Sequence, residues 1–219
     1  MVEAILFDLD GVLVHTDQLH YLAWKALADR LGLPFTPAQG DRCRGVSRMN
    51  SLNIVLEGAA RPFSPAERAA LAEEKNRAYV SLLSRLTAAD LAPGTRETLL
   101  TLHRRGYRLA LASGSRNAAR ILARTGLDAL LDAAADGTCI TRSKPDPEVF
   151  LTAARLVDTP PACCAAVDDA AAGVAAGRAA GMFTVAFGPG AAALHADARC
   201  AALPELLSLF PGPKGGSAG

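Results

Sequence analysis

A chain of 219 residues, half of them hydrophobic and 21% charged, with a formal net charge of +1, can form one domain or a core with a smaller insertion. The balanced charge gives no basic excess for nucleic acid, and no apolar run is long enough to span a bilayer. The first residues enter a strand at once, with no basic leader and cleavage site, so the cytoplasm is expected. The cysteines, at 43, 139, 163, 164 and 200, are odd in number and show no CxxC spacing. They read as small buried hydrophobes in a reducing compartment.

"VEAILFDLD" at the start is a short apolar run ending in acids, as a buried parallel strand would end. The next stretch is helical instead. Leu19, Leu22, Ala23, Ala26, Leu27 and Leu31 keep helical spacing, and Leu31-Gly32 gives a C-terminal cap. "SLNIVLEG" and "SPAERAALAEEKNRAYVSLLSRL" follow as helices, the second with Ser64 as N-cap and Glu67 completing a capping box. Residues 15–88 are therefore expected to be an inserted all-helical domain, with formal charge about +3 against about −2 for the rest. Residues 1–14 and 89–210 form the core. Its later strands are "YRLALAS" (107–113), "CCAAVDD" (163–169) and "FTVAFG" (183–188), each near a helical pattern. Such alternation predicts an α/β fold, a parallel sheet with helices on both faces and its site at the strand C-termini. The tail 211–219, "PGPKGGSAG", has no apolar pattern and reads as disordered.

Polar residues gather at those strand ends. Asp8 and Asp10 close the first strand, and Asp168 and Asp169 the third of the four anticipated. Paired acids at a strand end are often a plain surface feature. Four that converge need a positive occupant, and oxygen-only ligands favour Mg²⁺ over zinc. Lys144 in "SKPDP" can offset further charge, or be an ordinary loop lysine. In "LASGSRNAAR", Ser113, Gly114 and Ser115 follow a strand and Arg116-Asn117 open a helix. That is either a helix cap or a phosphate cradle of hydroxyls and free N–H groups.

Taken together, "DLDGVLVHT", "LASGS", "SKPDP" and "VDDAAAG" resemble the four signature segments of the haloacid dehalogenase superfamily of phosphotransferases, in order and across the whole core. The resemblance implies a Rossmann-like parallel sheet core with a helical cap. It makes Asp8 the nucleophile that forms an aspartyl-phosphate, and Asp10 the general acid/base with its carbonyl on the metal. Ser113 and Lys144 would hold the transferring phosphoryl group, and Asp8, Asp10, Asp168 and Asp169 would surround Mg²⁺. A weak nucleophile and an anionic electrophile meet only when such charges are neutralised and aligned.

The insertion resembles the cap of the β-phosphoglucomutase branch of that superfamily, in "HYLAWKALADRLG", "RGVSRMNSL" and "EEKNRAYV". That implies interconversion of β-glucose 1-phosphate and glucose 6-phosphate through β-glucose 1,6-bisphosphate. A sugar-phosphate phosphatase of the same fold is the alternative. A monomer acting on these sugar phosphates, with neither nucleic acid nor membrane as partner, is expected. His20 and Trp24, four apart, flank the apolar stripe; Trp24 is either a core anchor or a face for a sugar. Lys75 shares a stripe with Leu71, Ala78, Leu82 and Leu86, where it either reaches out to water or is paired. The resemblance pairs it with His20. Arg48 can grip a second phosphate through its guanidinium fork. Gly45, Val46, Ser47, Ser51, Gly114, Ser115, Arg116 and Asn117 complete the implied substrate contacts, and Thr16 sits at the hinge. Asp168 and Ala170 depart from the branch pattern of glutamate and serine, Arg44 and Arg116 stand for lysines, and Gly114 for an alanine. The shorter Asp168 is expected to reach the metal through water.

Overall fold

Ala4, Ile5, Leu6 and Phe7 form strand β1 (Ala4–Phe7), and all four are fully buried. Successive strand residues point to opposite faces, so both faces of the sheet are covered here. The computed structural model, which describes residues 1–212, shows how. After β1 a tight turn brings the Gly11 N–H to the Val14 carbonyl (2.9 Å). The chain then enters a unit of its own, Thr16–Leu86. Its helices are α1 (Asp17–Arg30), α2 (Pro37–Arg42), α3 (Arg48–Val55) and α4 (Pro65–Leu83). The buried faces of α1, α3 and α4, with Phe35, share one core of Trp24, Leu27, Phe35, Leu52, Val55 and Leu71.

Met1–His15 and the chain from Thr87 onward make the second unit. Re-entry is pinned beside the exit: Val14 bridges Leu91 antiparallel, and the Ala92 N–H donates to the Leu13 carbonyl (3.0 Å). Then come α5 (Thr95–Arg104), β2 (Arg108–Ala112), α6 (Ala118–Thr125), β3 (Ala133–Ala135), α7 (Glu148–Leu156), β4 (Cys164–Asp168), α8 (Ala171–Ala179), β5 (Phe183–Phe187), β6 (Ala198–Cys200) and α9 (Leu206–Leu209). The strands form one parallel sheet in the order β3-β2-β1-β4-β5-β6, with Leu6 of β1 beside Ala110 of β2 and Ala166 of β4. The chain lays strands outward from β1 to β3 and then returns to the other side of β1 with β4. That reversal opens a crevice at the C-terminal ends of β1 and β4, where an open α/β sheet holds its ligand.

α7 and α8 set Val149, Phe150, Ala153 and Ala176 against Ala4, Leu6, Ala110 and Ala166 on one face. α8 can come close because it carries glycine where it touches the sheet. A Cβ on Gly177 would lie 2.6 Å from the Ala166 Cβ and 3.2 Å from Thr184.

The four anticipated strands are β1, β2, β4 and β5; the three-residue edge strands β3 and β6 are additional. Gly32 has φ +68°, as the C-terminal cap of α1 requires, and α4 has the Ser64–Glu67 capping box, worth about 1 kcal/mol. Three expectations need correction. α2 lies in a stretch given no element, although Thr36 and Gln39 form a capping box at its start. Cys139 is exposed and Cys43 and Cys163 half-buried, so only Cys164 and Cys200 are core residues. Of the stretch 211–219 expected to be a disordered tail, Gly212 is tied down, its N–H donating to the Tyr107 hydroxyl (3.3 Å); residues 213–219 lie outside the described residues.

Candidate active site

The parallel ladder runs one residue past β1, where the Asp8 N–H donates to the Val167 carbonyl (2.9 Å). Asp8 thus ends β1, and Asp168 ends β4, on the two sides of the crevice. Lys144 Nζ donates to Asp8 Oδ1 (2.5 Å) and to Asp168 Oδ2 (2.7 Å), with its side chain 8% exposed. Its loop is tied down by Glu148 in the first turn of α7, whose carboxylate accepts from the N–H groups of Thr141 (3.0 Å) and Arg142 (2.8 Å). Burial pushes the Asp8 carboxyl up to about 6; Lys144 pulls it back and Asp168 adds to the rise. For Lys144 burial opposes the charge, but Asp168 and Asp8 outweigh it and hold the ammonium above its ordinary range.

Asp169 completes a group in which one oxygen each from Asp8, Asp168 and Asp169 lies within 4.8 Å of the others. Glycine makes the room. A Cβ on Gly11, itself at φ +89°, would lie 2.3 Å from Asp169 Oδ2, and one on Gly173 would lie 1.8 Å from the Asp168 carboxyl carbon. Oxygen-only ligands crowded in this way suit a hard divalent cation. Asp168 is held through both oxygens, since Oδ2 accepts from Lys144 and Oδ1 from the Ala170 N–H (2.9 Å). It takes over the capping task at α8, where Ala170 offers no capping side chain.

Across the crevice, the Ser113 N–H donates to the Ala135 carbonyl (3.0 Å), extending the β2–β3 ladder. Ser113 is 2% exposed, and its Oγ accepts from the Ser115 N–H (3.1 Å), while Ser115 Oγ accepts from the Asn117 N–H (3.3 Å). Two N–H groups expected to be free for phosphate are therefore satisfied by serine oxygens. A hydroxyl that accepts in this way can still donate its own proton. The turn is backed by Gly137, whose N–H donates to the Ser115 carbonyl (3.1 Å) and whose Cβ would sit 2.3 Å from the Gly114 carbonyl.

The unit Thr16–Leu86 holds its own polar cluster. Lys75 of α4 is 4% exposed, and its Nζ lies 2.9 Å from His20 Nδ1 of α1. The His20 ring stacks on Tyr79 at 4.0 Å. Burial, then Lys75, then Arg48 hold the His20 imidazole well below its ordinary pKa. Arg48 opens α3; its Nη2 donates to Asn76 Oδ1 (3.0 Å), and its Nη1 is 3.8 Å from the Glu73 carboxylate.

The sequence model described as haloacid dehalogenase-like hydrolase matches residues 2–181, through the ends of β1, β2, β3 and β4. The chain belongs to this family. Its relatives in the haloacid dehalogenase-like family include the β-phosphoglucomutase of Bacillus subtilis, 43% identical over 198 residues, which are 90% of this chain and 88% of that protein. The crystal structure of β-phosphoglucomutase from Clostridium difficile superposes with a TM-score of 0.87 at 35% identity, covering 94% of this chain and 93% of that one. A phosphorylated carbohydrates phosphatase of Thermotoga maritima is 31% identical, over 83% of this chain and 82% of its own length.

Within this haloacid dehalogenase-like core, Asp8, Lys144, Asp168 and Asp169 come together as the sequence suggested, and Ser113 stands at the next strand end. Asp10 takes part in the turn after β1, and its backbone N–H steadies the charged form of Asp8. In the helical unit, Trp24 is 2% exposed and packs within the apolar core. Ser51, 3% exposed, donates to the Cys43 carbonyl (3.5 Å), tying α3 to the end of α2. Ser47 is the N-cap of α3, accepting from the Asn50 N–H (3.2 Å), while Gly45 supplies a turn at φ +66° and Val46 is exposed. Thr16 is fully buried at the N-cap position of α1, and Arg116 and Gly114 are exposed. The buried stripe of α4 is Leu71, Lys75, Tyr79 and Leu83, rotated from the one read in the sequence. Sequence reading missed Tyr79, Gly11 and Gly173. Tyr79 lies at i+4 from Lys75, a spacing that could have flagged it.

Proposed function

We propose that this chain is a Mg²⁺-dependent β-phosphoglucomutase, a cytoplasmic monomer that interconverts β-glucose 1-phosphate and glucose 6-phosphate through β-glucose 1,6-bisphosphate. The observation that supports this reading over a phosphatase is the 43% identity to the Bacillus subtilis mutase across core and insertion alike, against 38% to the phosphoglycolate phosphatase of Cupriavidus necator and 31% to the Thermotoga maritima phosphatase.

In this reading Asp8 Oδ attacks the phosphorus of the bisphosphate, forming an O–P bond as the bond from phosphorus to the sugar oxygen breaks. Asp10 gives the leaving oxygen its proton. Loss of the 1-phosphate leaves glucose 6-phosphate, which departs. Asp10 then takes the proton from the 6-hydroxyl of an incoming β-glucose 1-phosphate, whose oxygen attacks the phosphoryl group, re-forming the bisphosphate and releasing Asp8. Lys144 and the Ser113 hydroxyl hold the phosphoryl oxygens. Asp8, Asp168, Asp169 and the Asp10 carbonyl would hold Mg²⁺, which when bound offsets the oxyanion charge that otherwise repels Asp8. Arg48 takes the phosphate not being transferred, with Arg116 and Asn117 as further contacts, and His20 with Lys75 recognises sugar oxygens. Residues 15–88 serve as the cap and Thr16 as its hinge.

The deciding assay supplies β-glucose 1-phosphate, catalytic bisphosphate and Mg²⁺ and follows glucose 6-phosphate and inorganic phosphate together. Conversion to glucose 6-phosphate is expected. Inorganic phosphate as the dominant product replaces the mutase with the phosphatase.

A further inference from the structure

His20 and Trp24 are four residues apart on α1, Lys75 and Tyr79 four apart on α4, and the two pairs meet. Lys75 Nζ lies 4.6 Å from the centre of the Trp24 ring and 4.5 Å from that of Tyr79. The π faces of two rings attract a cation most strongly where water has been removed, which is the case at this nitrogen. An ammonium has donors and no acceptor. His20 Nδ1, 2.9 Å from Nζ, is therefore the accepting nitrogen, and the proton of the neutral ring is on Nε2.

We infer that Trp24 and Tyr79 form an aromatic cradle that fixes Lys75 as a donor to His20 Nδ1 and so locks His20 in the Nε2–H tautomer. Tyr79 acts twice, because the face that attracts the ammonium belongs to the ring on which the imidazole stacks. A proton added to Nδ1 would meet the ammonium directly, with the Arg48 guanidinium opposing it as well, in line with the depressed basicity of His20. The purpose of the lock rests on the mutase reading: it presents one N–H of fixed polarity to an oxygen of the bound sugar phosphate. Trp24 and Tyr79 are then positioning residues, acting through Lys75 and His20.

The test reads the His20 ring nitrogens by ¹⁵N NMR in the full chain without substrate, with His20→Gln separating its signals from those of His15, His103 and His195. The wild type should show Nδ1 as a bare nitrogen and Nε2 as a protonated one. Trp24→Leu and Lys75→Met should drift toward a mixture of tautomers, and Trp24→Phe, which keeps a ring, should restore the single form. In turnover, kcat should fall about tenfold or more in Trp24→Leu and recover in Trp24→Phe, the scale of one desolvated cation–π contact. A wild-type ring protonated on Nδ1, or mixed, overturns the inference without any variant having to fold. Unshifted nitrogens in folded Trp24→Leu overturn it too; if that variant does not fold, Lys75→Met, close in volume to lysine, decides in its place. A failed mutase assay leaves these substrate-free spectra unchanged, so the two failures are distinguishable.

Discussion

Lys144 in the sheet unit and Lys75 in the helical unit are both removed from water, with 8% of the Lys144 side chain and 4% of Lys75 exposed, but by different means. Lys144 lies between two carboxylates. Lys75 lies between two aromatic rings and a neutral imidazole nitrogen. The first arrangement is a charge balance: taking the cation away leaves buried anions facing one another. The second sets a cation against two π faces and an imidazole nitrogen, so taking it away leaves a slot lined by rings. Burial alone therefore does not say how a lysine contributes. The partners decide whether its loss falls on stability or on the site.

Substitutions can break or sharpen that contrast. The largest effect is expected for Asp8→Asn, which removes the nucleophile. Turnover should vanish, and no acid-stable phosphoenzyme should form with labelled bisphosphate; residual wild-type-like turnover would end the assignment. Next come the lysines compared directly, each replaced by methionine. Lys144→Met should cost about 3 kcal/mol in urea unfolding, because two buried carboxylates lose their partner, along with activity. Lys75→Met should change stability by only about 1 kcal/mol or less while kcat falls, since methionine fills the slot between the rings. Equal losses of stability would erase the distinction.

A smaller effect tests the room made for the acids. Gly→Ala inside a helix ordinarily stabilises by about 1 kcal/mol. Gly173→Ala should instead destabilise by about 1–3 kcal/mol and weaken Mg²⁺ binding in calorimetry, because its Cβ would overlap the Asp168 carboxyl. The smallest effect concerns pH. The His20 pKa is lowered on folding, through burial, Lys75 and Arg48, from the ordinary imidazole value of 6.5. Below that value the unfolded chain binds the proton more readily than the folded one. Stability from this residue is thus complete above about pH 6.5 and declines as pH falls, by up to about 1.4 kcal/mol per unit. His20→Gln should lack that component when the two unfolding profiles are subtracted.

Much of this was legible in the residues. The four inner strands announce themselves because burial on both faces demands continuous apolar runs, and their polar ends mark the crevice. β3 and β6 did not, since "AAA" and "ARC" carry no β-branched or aromatic residue. Asp8, Lys144, Asp168 and Asp169 could be grouped because strand order brings their segments to one edge. Trp24 and Ser51 could not be settled, because whether a side chain faces a core or a ligand depends on helix rotation. The stripe of α4 shows the same limit: Ala78 and Tyr79 are adjacent in sequence, and one step turns the face by about 100°. Gly11 and Gly173 were invisible as site residues because their contribution is space.

The two glycines of α8, at 173 and 177, are one turn apart. The first shelters a carboxylate and the second touches the sheet, so the elevation of one end of this helix is set partly from the other. A bulkier residue at 177, remote from any reacting atom, would tilt the helix off β4 and drag the Asp168–Ala170 corner with it. Tolerance to mutation along α8 is thus expected to follow its tilt, not its distance from the phosphorus.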